Sequence, residues 1–312
     1  MTNRIAIIDL GTNTCNLLIA QYSHAGYQVL CQGKEMVKLG KSGIGDNQLT
    51  EGGLERAIVA IRKHQERINP YSPSETVIIA TSAIREATNS DWFEHEIKAS
   101  TGLDMQIVSG EKEADLIFKG VKLAFGEIED HSLILDIGGG SNEFILIENN
   151  VPVWKESFPL GMARIIQHIP PSDPITENEI KQIHHWFESR LDSLWNRLQK
   201  AHISMLIGCS GAFDTVADLI DQTNAGTKTR TRQEISYPDF KRIYEQLIAS
   251  TTAQRMKMKR MEPIRVEMIV PSVIFIKMVI EKLNIQKIVQ TDYALREGVL
   301  YEHIFNPLQF DS

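Results

Sequence analysis

The stretch ILDIGGGSNEF, Ile134 to Phe144, sets an aspartate, three glycines, a serine and a glutamate close together between apolar runs. Gly138, Gly139 and Gly140 let backbone N–H groups converge on an anion with no Cβ in the way. Ser141 adds a hydroxyl donor. Asp136 and Glu143 would repel a phosphate there unless a cation bridges carboxylate and phosphate oxygens. The same types recur near the N-terminus in IIDLGTNTCNLLIA, Ile7 to Ala20, where Asp9 precedes Gly11, Thr12, Asn13 and Thr14. Asp9, Asp136 and Glu143 therefore suggest Mg²⁺ or another divalent cation, with the glycines, Ser141, Asn13 and Thr14 as phosphate ligands. Read alone, DIGGG could be only a tight turn, and the pairing of two such segments weighs against that.

The elements that must carry these residues repeat. Asp9 falls on Asp136, Gly11 on Gly138, Thr14 on Ser141 and Asn16 on Glu143, at an offset of 127. A P-loop or dinucleotide fingerprint would lead into a helix. LLIAQY and FILIENN are short and apolar, so strand–turn–strand hairpins are expected. VIIATSAIREA resembles MLIGCSGAFDT, with Ser82 on Ser210 at an offset of 128. QIVSGEKEADLIFKGV and KIVQTDYALREGVLYEHI both read as strand, turn, helix, offset by 181 when Gln106 is set on Lys287. The second half then carries an insertion of about 53 residues between Asp214 and Ile285, with helical stretches such as YPDFKRIYEQLIAS. Three matches in one order imply a duplicated α/β domain, and two such lobes facing each other would make an interdomain cleft.

Global properties narrow the function classes. A chain of 312 residues favours two domains, and 42% hydrophobic with 23% charged residues is ordinary for a globular protein. MIVPSVIFIKMVI, from Met268, is too short and too interrupted by Pro271 and Lys277 to span a bilayer. Three cysteines without CxxC spacing fit a reducing compartment and no zinc cluster, and no secretory signal is evident, so a cytoplasmic protein is expected. A net charge of -7 argues against bulk nucleic-acid binding. His184 and His185 lack an acidic partner at metal spacing and read as surface or packing residues.

DLGTNTCNLLIA, ATSAIREATN, SGEKEADLIFKGV, DIGGGSNEF, GCSGAF and DYALREGVLYE, in that order, resemble the exopolyphosphatase/guanosine pentaphosphate phosphatase (Ppx/GppA) family of the actin, hexokinase and Hsp70 superfamily. Cys15, and Ala212 where the family usually has threonine, depart from its pattern. The resemblance is to the short form without a C-terminal HD-type region. It implies two actin-like, ribonuclease H-like α/β domains. The first spans residues 1–120, with a C-terminal helix in 297–312 packing back on it. The second spans 121–296 and holds the helical insertion. In the last helix, Leu295, Val299 and Leu300 fall on one face with charges opposite.

The resemblance also implies hydrolysis of a terminal phosphoanhydride, in inorganic polyphosphate or in the 5′-triphosphate of pppGpp. Glu113 matches the family's water-activating base, with Glu111 as its neighbour. Arg85 matches a phosphoryl clamp, against the alternative of a plain salt bridge to Glu86. Glu143 positions water or metal with Asp136, and Gly208, Ser210 and Gly211 occupy the place of a nucleotide-contacting turn. The expected partners are polyphosphate or guanosine penta- and tetraphosphate, with no nucleic acid, no membrane and a possible homodimer. KTRTR (228–232) and RMKMKRMEPIR (255–265) each read first as a solvated helical face, and KTRTR, soon after the second-lobe turn, is slightly the better candidate for guiding a polyanion. A small-molecule kinase and a non-catalytic nucleotide-binding module are the other function classes. Retention of Glu113, Arg85 and both aspartates weighs against the second of these.

Overall fold

The computed structural model describes residues 2–40, 47–224 and 229–305. In chain order it begins with β1 (Asn3–Leu10), β2 (Thr14–Ser23), β3 (Gly26–Met36), α1 (Glu51–Ile68), β4 (Glu75–Ala80), α2 (Ser82–Arg85), α3 (Ser90–Thr101), β5 (Met105–Ile107) and α4 (Gly110–Phe125). These form a five-stranded sheet of order β3-β2-β1-β4-β5. The β1–β2 and β2–β3 pairs are antiparallel, and β1–β4 and β4–β5 are parallel. Ile5 to Ile8 are fully buried, as a central strand covered on both faces requires. Thr50 caps α1 through a hydrogen bond from Gly53 N–H, and Leu54, Ala57, Ile61, His64 and Ile68 line the buried face of that helix.

The chain continues through β6 (Ser132–Ile137), β7 (Asn142–Glu148), β8 (Val151–Phe158), α5 (Met162–His168), α6 (Glu177–Glu188), α7 (Asp192–Leu198), β9 (Met205–Cys209), α8 (Gly211–Asp221), β10 (Gln233–Ile235), α9 (Tyr237–Ile248), α10 (Thr252–Met256), α11 (Ile269–Lys282) and β11 (Lys287–Thr291). The sheet order is β10-β11-β9-β6-β7-β8. Read from β8 to β11 it repeats the first sheet, strand for strand and with the same directions. The added edge strand β10 and the helices α9 and α10 lie in the expected insertion, and the hairpins form where a phosphate loop would have fed a helix. The core beneath this sheet stacks Phe187 on Phe275 at 3.9 Å, with Phe144 edge-on to Phe275.

The registers refine the alignment of the two halves. Leu10 pairs with Cys15, and Ile137 with Asn142, so four residues make each hairpin turn and the offset of 127 holds. Asp9 pairs in parallel with Ile79, and Asp136 with Cys209, an offset of 130. Ser82 is therefore not the counterpart of Ser210. The strand registers set Ser210 on Ala80, at the same offset of 130, and the helix starts set it on Thr81, since Thr81 and Ser210 each precede the first residue of a helix. Ile79 lies beside Gln106 and Cys209 beside Thr291, an offset of 185, so the insertion is 55 residues.

The last helix, α12 (Leu295–Phe305), groups with the first unit, which comprises Met1–Leu123, Gly138–Gly140 and Ala294–Ser312. Ala124–Ile137 and Ser141–Tyr293 form the second unit. α12 packs on β1 and β2. Its expected charged outer face is not solvated. Glu297, Glu302 and His303 are as buried as Leu295, Val299 and Leu300, because each finds a polar partner: Ala294 N–H, Lys112 with Lys119, and the Val299 carbonyl respectively. Among the described residues no helix is long and apolar enough to cross a membrane.

Candidate active site

In the first unit, Glu113 lies in the first turn of α4 and is 7% exposed, whereas Glu111 two residues earlier is exposed. Glu113 Oε2 accepts from Arg85 Nη1 at 2.6 Å, and the same Nη1 donates to Val108 O at 3.2 Å. Glu86 stands further from the guanidinium, at 3.6 Å. The expected alternative of a salt bridge to Glu86 is thus present but secondary. Arg85 ends the single turn of α2, and Ser82 begins it, so one short helix holds two polar side chains at fixed separation.

Ser82 brings in the glycine turn. A Cβ built on Gly140 would lie 2.5 Å from Thr12 Oγ1 and 2.6 Å from Ser82 Oγ, and one on Gly139 would lie 2.1 Å from Asn13 Nδ2. Neither glycine takes a left-handed φ. Close approach, not turn conformation, is what demands glycine at 139 and 140. The first unit so gathers Thr12, Asn13, Ser82, Gly139 and Gly140 around one turn, with Arg85 and Glu113 attached through α2. Thr14, expected among the phosphate ligands, accepts from Asn16 Nδ2 at 3.1 Å, and that amide also donates to Asp9 Oδ2 at 3.0 Å. Burial raises the Asp9 pKa, opposed by the Asn16 hydrogen bond and by Arg296.

In the second unit, Asp136 and Glu143 are direct cross-strand partners on β6 and β7, at the register where the first unit has Asp9 and Asn16. An acid–amide hydrogen bond in one hairpin is thus replaced by two carboxylates in the other. Facing like charges are unfavourable unless something stands between them. Ser157 Oγ donates to Glu143 Oε1 at 2.7 Å. Among the described residues no three His, Cys, Asp or Glu side chains are grouped to hold a metal on their own. Mg²⁺ commonly takes one or two carboxylates and completes its shell with water and substrate phosphate. The paired acids fit that chemistry better than Asp9, whose carboxyl is committed to Asn16. Ser141, which ends the glycine run, is buried at the start of this unit's chain segment.

Gly208, Ser210 and Gly211 lie where β9 runs into α8. Ser210 has φ 66° and ψ 172°, a region almost reserved for glycine. A Cβ on Gly208 would strike the Phe213 ring at 2.1 Å, and one on Gly211 the Arg265 guanidinium at 1.6 Å. This turn is strained, and a cation packs on the N-terminus of α8.

A model of the Ppx/GppA phosphatase family matches residues 18–306. The chain belongs to the Ppx/GppA phosphatase family. A putative exopolyphosphatase of Haemophilus influenzae is 26% identical over 298 residues, covering 95% of this chain and 90% of that one. The crystal structure of an exopolyphosphatase from Cytophaga hutchinsonii is 34% identical, with a TM-score of 0.92 and coverage of 97% and 98%. A Ppx/GppA family member from Aquifex aeolicus matches in fold, at 22% identity, a TM-score of 0.81 and 99% coverage of each chain. The fold is the actin-like two-domain fold of this family, and the chain is a hydrolase of the phosphatase class.

Within this Ppx/GppA chain the basic clusters mostly do structural work. Arg230, favoured as a polyanion guide, is 4% exposed and binds Asp218 at 2.7 Å, Asp221 at 3.2 Å and Gln233 at 2.6 Å. Arg232 stacks over Phe125, and Lys228 lies outside the described residues. Arg255 is buried against Ser250 O and Val266 O. Two polar side chains gain importance that their sequence did not suggest. In the sequence Ser82 stands out only as a match to Ser210, and Arg265 ends a run rich in lysine and arginine. Their neighbours in space, Gly140 and Gly211, are 58 and 54 residues away in sequence, beyond the reach of any local pattern.

Proposed function

We propose that this chain hydrolyses the terminal phosphoanhydride of inorganic polyphosphate, with the 5′-γ-phosphate of pppGpp as a second substrate. The observation that carries the reading is Glu113, a buried carboxylate held by Arg85 and joined through Ser82 to the glycine turn. Family membership and the exopolyphosphatase relatives support the substrate class.

In this reading water attacks the terminal phosphorus in line with the bridging oxygen. The new P–O bond forms as the anhydride P–O bond breaks, and the shortened chain leaves with the bridging oxygen. Glu113 takes the proton of the attacking water. The guanidinium of Arg85 carries five N–H donors, enough to hold Glu113 and still donate to a phosphoryl oxygen as charge builds there. Backbone N–H groups of residues 138–140, with Asn13, Thr12 and Ser82, fix the terminal phosphate. A divalent cation on Asp136 and Glu143 would supply charge neutralisation at the phosphate oxygens. Gly208, Ser210 and Gly211 would line the path of the remaining chain or of guanosine.

The test is release of inorganic phosphate from long-chain polyphosphate, pppGpp and ATP, each with and without Mg²⁺, for the native chain and Glu113→Ala. Metal-dependent release from the first or second substrate, lost in the variant, supports the reading. Transfer to an added sugar with none to water would replace it with a kinase.

A further inference from the structure

We propose that Glu302, on the last helix, is a positioning residue for the first turn of α4 and hence for Glu113. The inference rests on the assignment of Glu113 as the base. Two matched stripes join the helices. Ala294 O lies where a Cβ on Gly120 would be, at 2.0 Å, and Leu116 O where a Cβ on Gly298 would be, at 1.8 Å. Glu302 Oε1 accepts from both Lys112 Nζ and Lys119 Nζ at 2.6 Å. Positions 294, 298 and 302 of one stripe thus meet 120, 116 and 112 of the other. The two segments cross with a glycine from each at the contact, since a Cβ at either position would meet the other segment's backbone. Glu302 stands at the end of the stripe that reaches Lys112, the residue directly before Glu113.

The ionic contact is a poor way to gain stability. Glu302 is 1% exposed, and its second oxygen, Oε2, is buried with no hydrogen-bond partner among the described residues. A buried carboxylate with one bare oxygen returns little net energy, while its geometry is sharply defined. Lys119 has a second partner in Asp115 Oδ2 at 2.6 Å. Among the described residues the Lys112 side chain has no such second acid, and its backbone N–H donates to Ser109 Oγ. The Glu302–Lys112 pair therefore acts on the turn that bears Glu113, whereas Lys119 mainly anchors the middle of α4.

Three variants separate positioning from stability: Glu302→Ala, Lys112→Met and Lys119→Met, assayed on long-chain polyphosphate and on pppGpp. Glu302→Ala and Lys112→Met should lower kcat by about tenfold to a hundredfold, as small displacements of a reacting group do. KM should stay within about twofold, since ground-state binding is untouched. Lys112→Met leaves Glu302 paired with Lys119, so it folds even if Glu302→Ala does not. Lys119→Met should lower the melting temperature and leave kcat within about twofold. The inference is overturned if Lys112→Met keeps native kcat, or if Lys119→Met loses kcat as severely. Glu113→Gln is run beside them. If it stays active, the assignment of the base fails first. If it is inactive while Lys112→Met is fully active, only the positioning role fails.

Discussion

At the scale of single residues, burial separates Glu113 from Glu111, and the guanidinium of Arg85 separates it from an ordinary first-turn acid. Arg85→Met should remove the guanidinium that holds the buried Glu113 carboxylate and cost about 3 kcal/mol of folding stability, read from urea midpoints, besides lowering hydrolysis by about a hundredfold. Gly139 and Gly140 should differ. Alanine at 139 meets the Asn13 side-chain amide most closely, with Asn13 Cγ at 3.0 Å and Thr12 Cβ at 3.2 Å, so Asn13 must swing away: KM should rise, with a smaller loss of stability than at 140. Alanine at 140 meets Thr12 and Ser82 together and should destabilise by about 1–3 kcal/mol. Ser210→Gly should relieve strained backbone and add about 1 kcal/mol of stability in the same urea assay. The paired aspartates and the glycine run were legible because chemistry and spacing repeat inside the chain. The Arg85–Glu113 contact was not, since nothing local links residues 28 apart and the family resemblance singles out each residue without pairing them. Arg230 shows the opposite failure. A basic run in sequence does not reveal that acids on α8 will take one of its members indoors.

At the scale of elements, the hairpins were readable because short apolar runs after a turn cannot make an amphipathic helix. The alignment of Ser82 with Ser210 is off by one residue at the helix start and by two in the strand register, because identical residue types outweigh a register that the sequence does not display. α12 misled for a related reason. Its charges fall opposite its leucines in projection, but α4, β1, β2 and β4 leave it almost no solvated face, and polar partners meet the charges instead. The packing of α1 on β2 yields a pH prediction. His64 Nε2 sits 3.0 Å from the Cys15 carbonyl, which only accepts, so Nε2 carries the proton and Nδ1 faces Arg67. Burial lowers the His64 pKa below 6.5. The unfolded chain then binds more protons than the folded one just below that value, so stability is full above about pH 6.5 and falls as the pH drops towards the folded pKa. His64→Gln should flatten that part of a urea-midpoint profile between about pH 7 and 5. An unchanged slope would assign it to other groups.

At the scale of the whole molecule, the duplication was visible in sequence, and the matching strand orders now give it a physical basis. The mixed membership of the first unit was only partly visible. A segment of three glycines groups with it while the flanking residues group with the second unit, and this depends on contacts with Thr12, Asn13 and Ser82. Ending the chain at Tyr293 would strip α12 from β1 and β2. Amide exchange should then become fast in those strands while β6, β7 and β9 stay protected, and uniform protection would show that α12 is dispensable. The central claim is narrower: Glu113 activates the water that cleaves a terminal phosphoanhydride. Its most direct test is phosphate release from long-chain polyphosphate by the native chain and by folded Glu113→Gln. The account predicts metal-dependent release by the first and a loss of about a hundredfold or more in the second. Equal rates in the two, or no release to water by the native chain from polyphosphate or pppGpp, would contradict it.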